Sequence, residues 1–161
     1  MKAAREGDVD AIKLLIAGGA DKEAMDNDGW TALMWAADSG RAECIWALVG
    51  AGAKVNEGDN YAKNALMYAA EAGNAECLRA LVSGGANVSA CDSDGQTASW
   101  YAACGSHFDC LKALIAAHAD VNASRNDGIT VLMEASLVGQ VDCVKPRIGS
   151  KAKIPSKTSN S

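Results

Sequence analysis

Large aromatic side chains and proline are scarce in this chain of 161 residues, which contains one Phe, three Tyr, four Trp and two Pro. A core built mainly from large rings is therefore excluded. Alanine occurs 32 times, so the core must form where backbones approach closely over small residues. Apolar residues make up 49% and charged residues 22% of the chain. These proportions are typical of one globular domain and exclude wholesale disorder.

Membrane spans and an excess of positive charge are also missing. No apolar run reaches the roughly 18 residues that a membrane helix needs, and residues 1–8 lack the apolar segment of a secretion signal. Residues 1–144 carry 10 basic against 20 acidic side chains. The other five basic residues follow in a stretch without Asp or Glu: Lys145, Arg147, Lys151, Lys153 and Lys157. An acidic body repels phosphate backbones, so we expect no nucleic acid and no membrane as partner, but a basic or apolar protein surface.

One motif recurs every 33 residues. The sequence Leu-Met-Trp-Ala-Ala at 33–37 has counterparts at 66–70, 99–103 and 132–136. The same step links four cysteines and three leucines: Cys44, Cys77, Cys110 and Cys143, and Leu48, Leu81 and Leu114. A constant period of this length without insertions indicates a solenoid of stacked units.

Each unit is predicted to contain two short helices. Residues 26–29 read Asp-Asn-Asp-Gly, which is a turn signal, and Thr31 is placed to cap a first helix over 32–38. Apolar residues over 44–49 mark the buried face of a second helix, which ends near Gly52. Such a helix pair cannot bury its apolar face alone, so neighbouring units must stack on it.

These residues resemble the ankyrin repeat. The pattern Gly-x-Thr-Ala-Leu-Met-x-Ala-Ala-x-x-Gly spans 29–40, and Gly-Ala-x-Val-Asn follows at 52–56. The Thr-Ala-Leu-Met variant is similar to the long ankyrin arrays common in protists. The family's usual His is replaced by Met34 and its counterparts, which cannot form hydrogen bonds between turns, so we expect the turn side to be more loosely tied than in the family.

The resemblance implies an all-α solenoid of about three complete and two partial helix-turn-helix units. Residues 1–144 form the predicted repeat domain, with units at about 1–25 (partial), 26–58, 59–91, 92–124 and 125–144 (partial). Pro146 falls where the last unit would continue its second helix, which it disrupts. Residues 145–161 are predicted to be a disordered basic tail. The two imperfect ends suggest a piece of a longer array.

The cysteines at the repeat step are predicted to be buried free thiols. Stacked helices lie about 8–10 Å apart, whereas a disulfide needs Cα atoms within roughly 7 Å, so these residues cannot pair along the stack. Free thiols are typical of a reducing compartment, which predicts a cytoplasmic protein. Cys91 and Cys104 lie outside the series and are expected to be the exposed, reactive cysteines.

Catalysis and cofactor binding are not predicted. Cys104, His107 and Cys110 have ligand-like spacing, but the repeat puts them at a variable position, a loop and the core, respectively, so metal binding is disfavoured. His118 replaces the Gly of a helix end, and with only two His no nucleophile, base and acid set is visible. A metal or redox role for the Cys-His cluster remains an alternative that metal analysis would test.

By resemblance, the function is non-catalytic protein binding through the concave surface of turns and first helices, by a chain expected to be monomeric. The contact positions are the variable turn residues and the two residues before the Gly that ends each first helix. They are Asn27, Asp28, Trp30, Asp38 and Ser39; Asn60, Tyr61, Lys63, Glu71 and Ala72; Ser93, Asp94, Gln96, Cys104 and Gly105; and Asn126, Asp127, Ile129, Leu137 and Val138. The alternative is a scaffold fragment of a larger enzyme or adaptor whose activity lies elsewhere.

The aromatic residues divide into three groups. Trp30, on a turn, is equally well explained as a partner anchor or as packing over its own turn. Trp35, Tyr68 and Tyr101 recur at the repeat step and are predicted mainly to pack between units. Trp46 is expected on the convex, solvent side of the second helix.

Overall fold

The computed structural model describes residues 1–137, and it forms a stack of paired helices. Within those residues there are nine helices and no strand, so the predicted all-α fold is confirmed. The helices are α1 Lys2–Glu6, α2 Val9–Ala17, α3 Ala32–Asp38, α4 Ala42–Gly50, α5 Ala65–Glu71, α6 Ala75–Ser83, α7 Ala98–Cys104, α8 Phe108–Ala116 and α9 Val131–Leu137. Pro146, Val138 and the predicted tail lie outside the described residues.

Each complete unit starts its first helix with a side-chain cap. Thr31 Oγ1 accepts the N–H of Met34 at 3.3 Å, and Asn64 and Thr97 cap α5 and α7 in the same way. The predicted cap and helix bounds are therefore confirmed for α3. Because each cap satisfies an N–H that has no partner within the helix, the cap fixes where the helix begins.

Small residues form the contact between neighbouring first helices. The alanine pairs at the repeat step are buried in three successive units: Ala36 and Ala37, Ala69 and Ala70, and Ala102 and Ala103. Around them pack larger side chains such as Leu66, Met67 and Leu81. The alanines let the helix backbones approach, and the larger residues fill the space between first and second helices.

The cysteine series lies in this core. Cys44, Cys77 and Cys110 are free thiols and are at most 1% exposed, which confirms their predicted burial. Burial raises the pKa of all three and brings that of Cys77 to about 11, so the thiols stay protonated and unreactive at neutral pH. Cys91 is exposed as predicted, but Cys104 is half-buried, and its thiol donates a hydrogen bond to Glu134 at 3.2 Å.

His118 confirms the prediction of an unusual helix end. It adopts a positive φ of 62° where the other units place Gly52 and Gly85. A left-handed conformation costs a residue with a Cβ about 1–2 kcal/mol. Glycine avoids this strain, although its greater freedom in the unfolded chain offsets part of the gain.

His118→Gly is therefore expected to raise the free energy of unfolding by about 0.5–1 kcal/mol. The side chain is exposed, so little packing is lost, and urea unfolding followed by circular dichroism measures the change. Gly85→Ala is the reciprocal control, since a Cβ there would meet no atom within 4 Å, and it should destabilise by a similar amount. An unchanged or lower stability of His118→Gly would contradict the assignment of strain.

Candidate protein-interaction surface

An aspartate closes the turn in each of the second, third and fourth units. One carboxylate oxygen of Asp92 accepts the N–H groups of Asp94 and Gln96, both at 2.9 Å. Asp26 and Asp59 bind the equivalent two N–H groups of their own turns. These bonds fix the turn backbone. The aspartate at the start of each turn therefore helps to set the direction of the side chain at the tip of that turn.

The second carboxylate oxygen holds an aromatic side chain nine residues further on. Tyr101 donates its hydroxyl to Asp92 Oδ2 at 2.6 Å, and Trp35 donates its indole N–H to Asp26 Oδ2 at 3.0 Å. Tyr68 bonds to Asp59 in the same way. These rings were predicted mainly to pack between units. Each of them also links its first helix to the turn of the same unit through this hydrogen bond.

The rings lie in three successive units, and together with two cations they form one continuous stack across four units. Trp30 lies between Trp35 and Tyr68, with ring centroids 4.5 and 4.1 Å away. Arg5 covers the outer face of Trp35 at 5.5 Å. Lys63 lies between the rings of Tyr68 and Tyr101, at 4.3 and 4.1 Å from their centroids. Trp30 therefore packs over its own turn and the next, while remaining half-exposed along its edge.

Lys63 is held at the centre of this surface. Its Nζ lies 2.6 Å from Glu71 Oε2, and its side chain is 11% exposed. An ammonium enclosed by a carboxylate and two ring faces is stabilised by both. Lys63 is a predicted contact residue, but the structure gives it a scaffold role. Gln96 at the equivalent position of the next unit is 5% exposed and is likewise inaccessible.

The fifth unit departs from this pattern. Arg125 replaces the turn aspartate and Glu134 replaces the aromatic residue. Arg125 pairs with Asp127 at 2.8 Å and lies 5.2 Å from the ring centroid of Trp100. The turn is therefore closed by an ion pair and a cation–ring contact instead of the aspartate network.

Successive turns are linked by side chains that were predicted to be contact residues. The amide of Asn60 donates to the carbonyl of Asn27 at 3.1 Å, and that of Asn126 donates to the carbonyl of Ser93 at 3.0 Å. Between them, Ser93 Oγ donates to the carbonyl of Tyr61 at 2.7 Å. Short polar side chains therefore link the turns, although Met34 and its counterparts cannot form such bonds. Looser tying than in the family stays a prediction.

The residue before each second helix is linked in the same direction, to the first helix of the preceding unit. Asn74 donates to the carbonyls of Ala37 and Asp38 at 3.0 and 3.1 Å. His107 Nε2 donates to the carbonyl of Glu71 at 2.9 Å, and Arg41 donates to the carbonyl of Arg5. His107 thus has a structural bond, and over residues 1–137 no group of three or more His, Cys, Asp or Glu is arranged to hold a metal ion.

The remaining predicted residues lie on the accessible part of the surface. We call this surface the turn strip: turn residues 26–30, 59–63, 92–96 and 125–129, with the adjoining face of α3, α5, α7 and α9. The tip residues are exposed: Asp28, Tyr61, Asp94 and Asp127. Asp38, Ser39 and Ile129 are half-buried, and Ala72 and Gly105 are exposed. The side chain of Leu137 and all of Val138 lie outside the described residues.

The turn strip perturbs its titratable groups. Burial, followed by the hydrogen bond to a carboxylate, raises the pKa of Tyr68 and of Tyr101 above the ordinary phenol range. Partial burial of Asp26 acts to raise its pKa, but hydrogen bonds from Trp30, Trp35 and Asp28 outweigh it and lower the value. Asp26 therefore stabilises the fold in its charged form, and this stabilisation is lost as the pH falls through its folded pKa.

The buried phenols predict a loss of stability at alkaline pH. In the unfolded chain tyrosine ionises near pH 10, whereas Tyr101 stays protonated in the folded chain well above that value. Each such tyrosine lowers the free energy of unfolding by about 1.4 kcal/mol between pH 9 and pH 11. Urea unfolding at both values should show Tyr101→Phe losing about 1.4 kcal/mol less than the unmodified protein. Equal losses in the two proteins would contradict the raised pKa.

Comparison with known proteins agrees with this geometry. Paired helices with capped first helices and bonded turns, repeated every 33 residues, define a helical repeat solenoid. A family model described as ankyrin repeats (3 copies) matches residues 1–92 and 77–154. The chain therefore belongs to the ankyrin repeat family, as the resemblance indicated. A search of curated proteins found no match. Within residues 1–137, no helix is long and apolar enough to cross a membrane.

Two features of the turn strip were not predicted from the sequence. The aspartates at 26, 59 and 92 recur at the repeat step, and each precedes an aromatic residue by nine positions. This double recurrence was visible in the sequence and was the signal for the carboxylate–aromatic bonds. The stacking of Trp30 and Lys63 between rings had no such signal, since Trp and Lys share no chemistry that marks a common position.

Proposed function

We propose that the chain is a non-catalytic protein-recognition module that binds its partner through the turn strip. Ankyrin repeats are generally protein–protein interaction modules, and the family model matches most of this chain. The observation that carries the proposal is Tyr61, a ring 64% exposed on a turn tip between the exposed tips Asp28 and Asp94. An exposed aromatic residue with a polar rim, on a turn whose backbone is fixed by hydrogen bonds, is typical of an interaction surface.

The structure supports a separation of the predicted contact residues into those that hold the turns and those that are accessible to a partner. Asn60, Ser93, Asn126, Lys63 and Gln96 have structural partners or are buried. The proposed contacts are therefore the residues with accessible side chains: Asn27, Asp28, Trp30, Asp38, Ser39, Tyr61, Glu71, Asp94, Asp127 and Ile129. Because the scaffold residues hold the turns in place, this surface is preorganised, which reduces the entropy lost on binding.

The remaining parts of the proposal concern the whole chain. We treat residues 1–144 as the repeat domain and 145–161 as a separate basic segment, and we propose a monomer in the cytoplasm. Three protonated, buried thiols support a reducing compartment. We propose no enzymatic activity, no cofactor and no binding of nucleic acid.

The test replaces tip residues that support no observed fold contact through their side chains. The triple variant Asp28→Ala, Tyr61→Ala, Asp94→Ala should lower the capture of partner proteins from a lysate by at least about tenfold, since loss of an aromatic anchor alone costs about 2 kcal/mol. Quantitative mass spectrometry of the captured proteins measures this.

A matched control removes exposed side chains from the opposite face. Trp46→Ala, Arg79→Ala, Lys112→Ala lies on α4, α6 and α8, where Trp46 is 52% exposed on the predicted convex side. This variant should retain binding, and both variants should keep the helical circular dichroism signal. Undiminished capture by a folded tip variant would remove the turn strip as the recognition surface.

A further inference from the structure

We propose that the basic segment 145–161 of this same chain docks on the turn strip and competes with the partner for it. The regulatory part of this inference rests on the proposed function, because it assigns an internal competitor to the same surface. The docking itself is a separate claim that the isolated protein can test.

Charge complementarity is the first support. The segment carries five cations and no Asp or Glu. The turn strip, with its adjoining helix face, has nine carboxylates and two cations, and Arg5 of the neighbouring α1 adds a third cation. The carboxylates are Asp26, Asp28, Asp38, Asp59, Glu71, Asp92, Asp94, Asp127 and Glu134, and the two cations are Lys63 and Arg125. An acidic surface over low-dielectric protein attracts a segment of opposite charge strongly at low salt.

The opposite face offers no comparable attraction. Along α2, α4, α6 and α8 the exposed charged residues are of mixed sign. They are Asp10, Lys13, Glu43, Glu76, Arg79, Asp109 and Lys112. Four carboxylates against three cations leave that face close to neutral, and Lys112 already lies 3.4 Å from Asp109. Electrostatics therefore direct a cationic segment to the turn strip.

The rings of the turn strip already accept cations from this chain. Lys63 lies against the rings of Tyr68 and Tyr101, and Arg5 lies 5.5 Å from the ring centroid of Trp35. Lys63 is fixed by its ion pair with Glu71, whereas Arg5 is an exposed side chain. The face of Trp35 is thus a cation-binding position held by a residue that can move aside. Burial of such a cation–ring contact strengthens it.

The chain geometry allows the segment to reach this surface. The described residues end in α9, in the unit at one end of the turn strip. Twenty residues separate 137 from Lys157, and a random coil of that length has a typical end-to-end distance of about 25 Å and a maximum of roughly 66 Å. Three steps of about 8–10 Å separate the fifth unit from the second. The segment can therefore lie along the turn strip as far as Trp35.

A tethered segment competes effectively even when its intrinsic affinity is weak. A short flexible tether gives an effective concentration of about 1 mM. A segment with a dissociation constant of about 0.1 mM would then occupy the turn strip for most of the time and would weaken a competing ligand about tenfold. The partner that overcomes this competition must present more contacts than the segment does.

The experiment uses a fluorescein-labelled synthetic peptide of residues 145–161 as the probe. It is titrated with the full chain and with a full-length variant whose five segment cations are replaced: Lys145→Gln, Arg147→Gln, Lys151→Gln, Lys153→Gln and Lys157→Gln. Fluorescence anisotropy should show the peptide binding the neutralised variant about tenfold more tightly than the unmodified chain. Adding Asp28→Asn and Asp94→Asn to the neutralised variant should weaken this binding at least fivefold, and raised salt should also weaken it.

Zero-length carbodiimide coupling of the dilute unmodified chain gives an independent readout. Peptide mapping of the monomer fraction should join the segment lysines to Asp28, Glu71 or Asp94, and high salt should remove these cross-links. Cross-links confined to a dimer fraction would assign the surface to a second copy and overturn docking within one chain. Equal peptide affinity for the unmodified and neutralised chains, or no binding by either, would overturn it as well.

These outcomes are separable from failure of the proposed function. If the tip variant loses its captured partner but the peptide does not bind, recognition stands and the internal competitor is wrong. If the peptide binds the turn strip but the tip variant captures every partner normally, docking stands and the proposed recognition surface is wrong.

Discussion

Gly29→Ala is expected to lower the free energy of unfolding by about 3 kcal/mol. Gly29 has a φ of 82°, and an added Cβ would lie 2.8 Å from both N and Oδ1 of Asn60. The substitution therefore adds backbone strain of about 1–2 kcal/mol. It also pushes apart two turns that are joined by the bonds of Asn60 to Asp28 and Asn27, each of which contributes about 1 kcal/mol. Urea unfolding measures the sum.

Gly52→Ala separates the two causes. Its φ of 80° nearly equals that of Gly29, but an added Cβ would meet no atom within 4 Å. Only the strain of about 1–2 kcal/mol should appear, so the difference between the variants reports the close approach of the turns. If the two substitutions cost the same, the close approach contributes nothing.

The third unit contains a natural counterpart of this test. Ala62 has a φ of 60° at the position of Gly29, and the residue facing it in the next turn is Ser93, where the other turns have Asn60 and Asn126. The shorter serine leaves room for a Cβ. Ser93→Asn should therefore destabilise the chain, and Ala62→Gly should relieve the effect in the double variant.

Asp92→Ala is expected to cost about 3 kcal/mol. The carboxylate is 9% exposed, and it accepts the N–H groups of Asp94 and Gln96 and the hydroxyl of Tyr101. Its removal leaves the hydroxyl and at least the Gln96 N–H buried without an acceptor, and hydrogen bonds to a charged group contribute about 1.5–3 kcal/mol each. The turn and the aromatic ring should both loosen, which thermal and urea unfolding would detect.

The neighbouring carboxylate is the control for this variant. Asp94 is exposed at the tip of the same turn, so Asp94→Ala should change the free energy of unfolding by no more than about 0.5 kcal/mol. Tyr101→Phe should fall between the two, since it removes one of the three bonds. A loss for Asp92→Ala as small as that for Asp94→Ala would mean that water replaces the carboxylate.

The fold could be predicted because its signals are local. The cap of Thr31, the helix-end glycines such as Gly52 and Gly85 and the alanine pairs act within a few residues, and the period of 33 repeats these signals. The contact surface was harder to predict, because variability between units does not show which side chains are free. Asn60 and Ser93 differ, as contact residues do, yet both bond to the preceding turn.

Trp30 shows the same difficulty in another form. A tryptophan on a turn can be an exposed anchor or a packed ring, and only the positions of its neighbours show which of the two it is. Those neighbours, Trp35 and Tyr68, belong to two different units. Pattern analysis treats units one at a time, so a residue inserted between the rings of two units gives no periodic signal.

Four side-chain links between units run in one direction, although Asn56 donates to Gly85 and Cys104 donates to Glu134 in the following unit. Asn60, Asn74, His107 and Asn126 each donate to main-chain carbonyls of the unit before them. Main-chain carbonyls are present whatever the side chain. A duplicated stretch of 33 residues would therefore bring its own donors, and almost any preceding unit would supply the carbonyl acceptors. Lengthening by tandem duplication is therefore chemically easy for this array. The exception is steric: a copy with Asn60 at its turn tip must follow a glycine such as Gly29, which restricts the order in which copies can be joined.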